Sequence, residues 1–251
     1  MRAVSASLFG RYRDRIARLP AGRPLEEKEL RNGTFLLWRE GALEAFYAPF
    51  DHVERSAAVA IVGVTPGWMS MEIAFREARA ALGDGCGDGE ALRRAKVPAS
   101  FPGPMRGRLV AWLDRLGLPG AVGLATSADV FAGASRLLHP THLLRYPVFV
   151  RGRNYSGQSP RVLSTARLRE SVETTFLPEL RALDRPLVVP LGPRVSEVIS
   201  RCEAEGALPG VACLHGFPHP SGLNALGPRQ FAREEARLRA AVAAWAAGRR
   251  P

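Results

Sequence analysis

A chain of 251 residues, 46% of them hydrophobic, is long enough to bury a proper core. No stretch approaches the roughly 18 to 20 uninterrupted apolar residues of a membrane span, and Met1 to Pro20 carries five arginines without an apolar signal-peptide core. The reading is a cytoplasmic monomer with no membrane partner. A net charge of +11 favours polyanions through counterion release, so nucleic acid leads the partner classes; 20 prolines, 25 glycines and an Ala/Arg-rich tail also fit a high-GC genome, where arginine is inflated.

In chain order, "FLLWREGALEAFYAPF" (Phe35 to Phe50) reads as a hairpin turning at Glu40-Gly41. "AAVAIVG" (Ala57 to Gly63) suits a buried parallel strand. It stops at "GVTPGW", and "MSMEIAFREARAAL" then has apolar residues at helical spacing. Cys86 to Gly107 reads as a long connection broken by Pro98, Pro102 and Pro104, and "RLVAWLDRLGL" as an amphipathic helix. Leu137 to Val150 reads as one proline-interrupted strand, followed by the basic loop "RGRNYSGQSPR". After a helix over "ARLRESVETTFLPELRAL" come the strand "PLVVPLG", the helix "PRVSEVISRCEAEG", the strand "GVACLHG", the loop "FPHPSGLN" and a closing helix. Four strands separated by helices predict a three-layer α/β/α sandwich around a central, mostly parallel four-stranded sheet. We read one domain over residues 1–251, with residues 1–56 an N-terminal extension carrying the hairpin and 57–251 the core. Ligands gather at the carboxyl ends of such strands, so "GVTPGW", "RGRNYSG" and "GFPHPSGLN" are expected to converge.

Common catalytic motifs do not fit these loops. "GVTPG" lacks the Lys-(Ser/Thr) of a P-loop and is too short for a dinucleotide fingerprint. His219 has no partner at ligand spacing, and His52, His139, His142 and His215 form no metal motif. Ser221 and His219, two apart in a loop and without GxSxG, do not make a hydrolase pair. Cys86, Cys202 and Cys213 are odd in number and widely spaced, which predicts ordinary thiols, no metal and no cofactor.

The order and spacing of the loops do resemble the uracil-DNA glycosylase superfamily, whose members carry a first motif G-x-(Asp/Asn/Ala)-P-(Gly/Tyr) and a last motif H-P-S-P-L-S or a close variant. "GVTPG" matches the first, "HPSGLN" the last, and "LVVPLG" is a later strand between them. "FPGPMRGRLVAWLDRLGL" is similar to the family's "PFVG…G…LL…LGL" segment, and "PTHLLRYP" to the "TNVVKCRPP" strand of its thermophilic branch. The resemblance covers Ala57 to Asn224.

It implies a monofunctional DNA glycosylase of base-excision repair, acting on single- or double-stranded DNA. Such an enzyme hydrolyses the N-glycosidic bond of a flipped-out deaminated or modified pyrimidine and leaves an abasic site. It implies that His219 donates to the pyrimidine O2 as the base departs, that Ser221 binds a flanking phosphate, and that Leu223 fills the gap in the stack. Pro220 and Asn224 belong to the same DNA-contacting loop, and Arg153 to a second. Gly63, Val64, Pro66 and Gly67 line the base with Phe101, which stacks on it, and His142.

Three departures modify the picture. Thr65 stands where many members have the Asp or Asn that positions water, and Thr65 cannot act as a general base; Glu72 and Asn154 are the other candidates. His142 stands where the thermophilic branch reads uracil with an asparagine, so a bulkier modified base, or readout by Asn154, is expected. The iron–sulfur cysteines are missing, so no cluster is expected. Basic residues near the loops (Arg93, Arg94, Lys96, Arg106, Arg145, Arg151, Arg153, Arg161) are candidates to track the DNA backbone. The alternatives are a catalytically silent DNA-binding module of the same fold and, against the basic charge and Leu223, a hydrolase of free nucleosides or nucleotides.

Overall fold

A computed structural model describes residues 7–132 and 136–249. In chain order the elements are α1 (Phe9–Ala17), α2 (Glu27–Leu30), β1 (Leu36–Glu40), β2 (Leu43–Phe46), β3 (Val59–Gly63), α3 (Trp68–Gly83), α4 (Asp88–Ala99), α5 (Pro104–Arg115) and α6 (Leu118–Ala121). There follow β4 (Leu138–His142), β5 (Val148–Val150), β6 (Arg153–Asn154), α7 (Ala166–Ser171), α8 (Leu177–Arg181), β7 (Leu187–Pro190), α9 (Pro193–Ala204), β8 (Ala212–Cys213) and α10 (Gly227–Arg249). The chain divides into two compact units. One takes the chain to Val53, with Val64–Ser100 and Thr141–Pro178; the other takes Glu54–Gly63, Phe101–Pro140 and the chain from Glu179.

The first unit holds an antiparallel sheet in the order β1-β2-β5-β6. β1 and β2 are the expected hairpin, Glu40 opposite Leu43. β5 and β6 form a second hairpin, in which Arg151 (φ 48°) and Gly152 (φ 75°) make the two-residue turn between paired Val150 and Arg153. Positive φ at both central positions matches the right-handed twist of the flanking strands. Aromatic packing holds the core of this unit: Tyr12 stacks on Tyr47 at 4.2 Å, and Phe35 meets Phe75 edge-on at 4.7 Å. The buried Asp51 carboxylate accepts from Leu8 N (2.8 Å), Tyr47 Oη (3.0 Å) and Tyr146 Oη (2.8 Å), so its charge is compensated where water is scarce.

The second unit is built on a sheet in the order β4-β3-β7-β8, whose β3–β7 and β7–β8 pairs are parallel, with Ile61 opposite Val189. Strand side chains alternate between faces. Val59, Ile61, Leu187 and Val189 accordingly share one apolar cluster with Leu109, Trp112 and Leu113 of α5 and Phe231, Leu238 and Val242 of α10. The buried Val195, Val198, Ile199 and Cys202 of α9 lie outside that cluster. The fold is α/β, a three-layer sandwich with helices on both sides of the four-stranded sheet, as the alternation of strands and helices predicts.

Several element assignments need correction. Most of Cys86 to Gly107 is helix, because Ala91, Leu92, Ala95 and Ala99 recur at helical spacing and are buried. Pro98 falls in the last turn of α4, where its missing N–H costs little of the ladder, and Pro104 opens α5, where no N–H partner is needed. Leu137 to Val150 is two strands: β4 ends at His142 in the parallel sheet, and β5 starts after Pro147 and pairs antiparallel with β2. A π-turn over Val172–Phe176 interrupts the next helix just before Pro178, which has no N–H to offer. β8 keeps only two residues.

Candidate functional site

In the second unit, the loop "FPHPSGLN" is clamped at both stems. Phe217 is buried edge-on against Trp112 (5.8 Å) and Phe231 (6.2 Å), and those two rings stack at 4.9 Å. Asn224 Nδ2 donates to the His219 carbonyl and to Gln230 Oε1, both at 3.1 Å. Arg108 Nη1 on α5 donates to the Ser221 carbonyl at 2.8 Å. Pro218 and Pro220 are buried on either side of the half-buried His219. Gly192, at φ 91°, lies under the histidine: a Cβ there would come within 3.0 Å of His219 Cβ. The Gly192 N–H also donates to the Phe217 carbonyl (3.1 Å). Only glycine tolerates both that φ and that approach.

This frame sets the state of His219. The Ser221 N–H donates to Nδ1 at 3.2 Å, which makes Nδ1 an acceptor and leaves the proton on Nε2. Burial pushes the pKa down from its ordinary 6.5, so the ring is neutral near pH 7. A neutral imidazole with a fixed Nε2–H is a preorganised donor. Leu223 at the loop tip is 99% exposed, which suits a residue that meets another molecule. Asn224, expected to contact DNA, braces the loop with its side-chain amide. Arg108 was missed because a helical arginine carries no motif; only its place one turn before Trp112 hints at it. Phe101, expected to stack on a base, is 3% exposed within the apolar cluster and has a left-handed backbone (φ 51°). That conformation is strained for a non-glycine residue, and such strain concentrates at functional sites.

In the first unit, the Thr65 hydroxyl donates to the Tyr146 carbonyl and accepts from Val148 N, both at 3.0 Å. Thr65 is thereby committed to tying its loop to the start of β5. Val64 likewise accepts from Leu144 N (3.0 Å). Asn154 is brought to the same loop: its Oδ1 accepts from Trp68 N at the start of α3 (2.9 Å), and a Cβ on Gly67 would meet the amide at 3.2 Å. Asn154, a candidate to position water or to read the base, has its carbonyl oxygen taken up by this bond to the helix end. His142 is 5% exposed and edge-on to Phe50 at 6.1 Å, a core histidine in this unit. Pro66 is buried, and Gly63 closes β3.

Other candidates are corrected. Glu72, a candidate to position water, is buried, accepting from Leu25 N and Arg76 Nε, both at 3.2 Å. Lys96 and Arg145 are 1% and 3% exposed, so neither presents its charge to an outside phosphate. Arg93 and Arg94 are paired with Glu90 and Asp84. Arg153 stays on the exposed edge of β6.

A second group in the second unit was not legible as a motif. Glu203, Cys213 and His215 bring ligand atoms within 4.8 Å of one another. Glu203 Oε2 lies 2.8 Å from His215 Nε2, and Cys213 Sγ 3.8 Å from Nδ1. Ser196 and Ser200 hydroxyls lie 2.9 and 3.3 Å from the same Nδ1. Burial, then the charge of Glu203, pushes the Cys213 thiol up.

No family model and no solved structure matches the chain. Fold and loops define an α/β protein of the three-layer sandwich class. The chain is 31% identical over 246 residues to the uncharacterized protein YoxB of Bacillus subtilis (strain 168), covering 97% of this chain and 95% of that protein. It belongs to the YoxB family.

Proposed function

We propose that the protein is a monofunctional DNA glycosylase that removes a deaminated or modified pyrimidine and leaves an abasic site. The observation that carries this reading is the tautomer of His219: neutral, with Nδ1 capped by the Ser221 N–H and Nε2–H left to donate. Breaking an N-glycosidic bond leaves charge on the departing base, and a rigid donor aimed at its O2 lowers the barrier without reorganising. Leu223, exposed at the tip of the same loop, is suited to enter a base stack. The basic net charge supplies the affinity for the DNA backbone.

Thr65 acts by positioning, since both sides of its hydroxyl are engaged. With no carboxylate in that position, stabilisation of the leaving base carries most of the rate. The test is incubation with oligonucleotides bearing uracil, hypoxanthine, hydroxymethylcytosine or glucosylated hydroxymethylcytosine, followed by alkaline cleavage. Strand scission with at least one is expected; none with any, at high protein concentration, overturns the reading. Salt-dependent DNA binding that is unchanged in His219→Ala, without abasic product, would instead identify a silent DNA-binding module.

A further inference from the structure

We propose that Glu203, Cys213 and His215 form a binding site for a divalent transition-metal cation of the zinc class. The three side chains offer oxygen, sulfur and nitrogen, a borderline set that suits zinc and disfavours magnesium and calcium. A tetrahedral ion with bonds of about 2.0 to 2.3 Å holds its ligand atoms somewhat under 4 Å apart. The observed spread of up to 4.8 Å closes on it by a rotamer shift of the half-buried Glu203.

Local structure explains why these residues meet. Cys213 ends the two-residue β8, and His215 opens the turn that Phe217 N closes on the Leu214 carbonyl, which brings the two side chains together just beyond the strand. Ser196, Ser200 and Glu203 recur at i, i+4 and i+7 on α9, hence on one helical stripe facing the imidazole. The ion takes Nδ1, the ring nitrogen that Cys213 Sγ faces, and displaces the Ser196 and Ser200 hydroxyls from it. All three ligands are half-buried, so an ion has a way in and a fourth position remains for water. On binding, the Cys213 thiol releases its proton to solvent and the ion clips the two-residue β8 to the last turn of α9.

The test is titration of the chelator-stripped full chain with Co2+, followed by absorption. One equivalent is expected to give visible d–d bands and a near-ultraviolet thiolate-to-cobalt band. Cys213→Ser should abolish the near-ultraviolet band, and His215→Ala should weaken binding at least tenfold. Cys86→Ser, outside the group, should change nothing, and Zn2+ should raise the Tm of the unsubstituted chain. Should Cys213→Ser fail to fold, Glu203→Gln replaces it, with weakened Co2+ binding expected. No thiolate band in the unsubstituted chain, or the same band in Cys213→Ser, overturns the site.

Discussion

His219 owes its chemistry to a single backbone N–H. Because the Ser221 amide donates to Nδ1, protonating the ring would set two hydrogens against each other, and burial adds to that cost. The sign of the pH dependence follows. Below 6.5 the unfolded chain takes up a proton that the folded chain refuses, so this contribution to stability is present above 6.5 and is lost as pH falls from 6.5 towards the lowered folded pKa. The acid limb of the excision rate should accordingly fall below pH 6.5, measured under single-turnover conditions; a limb above 6.5 contradicts a neutral donor. Thr65 makes the opposite prediction about chemistry. Thr65→Val removes partners from Tyr146 O and Val148 N and should cost about 1–3 kcal/mol in chemical denaturation. Thr65→Ser should keep both the stability and most of the rate.

At the scale of elements, the clamped loop depends on its stems. Phe217→Ala empties the slot between Trp112 and Phe231 and should cost about 3–5 kcal/mol of unfolding free energy. Gly192→Ala, which sets a methyl against His219 at an unfavourable φ, should lower the excision rate more than it weakens DNA binding. The sheet strands and long helices were legible because they are apolar runs and 3.6-residue periods bounded by glycine and proline. α4 was not, because three prolines in one segment look like a loop unless their places relative to helix ends are known. The break between β4 and β5 was hidden because both halves are apolar and only pairing separates them. His219, Ser221 and Leu223 could be read from a contiguous motif. Arg108, Gly192 and the Glu203–Cys213–His215 group could not, because their relation exists only in three dimensions.

Over the whole molecule, a charge of +11 is what remains when 24 Asp and Glu are set against 35 Lys and Arg, so it counts an excess of cations and not their positions. Arg93, Arg94, Arg115, Arg201 and Arg237 are in ion pairs, and Lys96 and Arg145 are buried. The slope of log affinity against log salt reports the cations that reach phosphates, and Arg153→Ala, on an exposed strand edge, should reduce its magnitude by about 1. Among the described residues no helix is long and apolar enough to cross a membrane. The central claim is that the final loop stabilises a departing base through His219. It is tested most directly by the single-turnover rate of abasic-site formation by His219→Ala, on whichever modified oligonucleotide the unsubstituted protein cleaves best. A fall of about 10²–10³-fold with DNA affinity retained is predicted; an unchanged rate would contradict it.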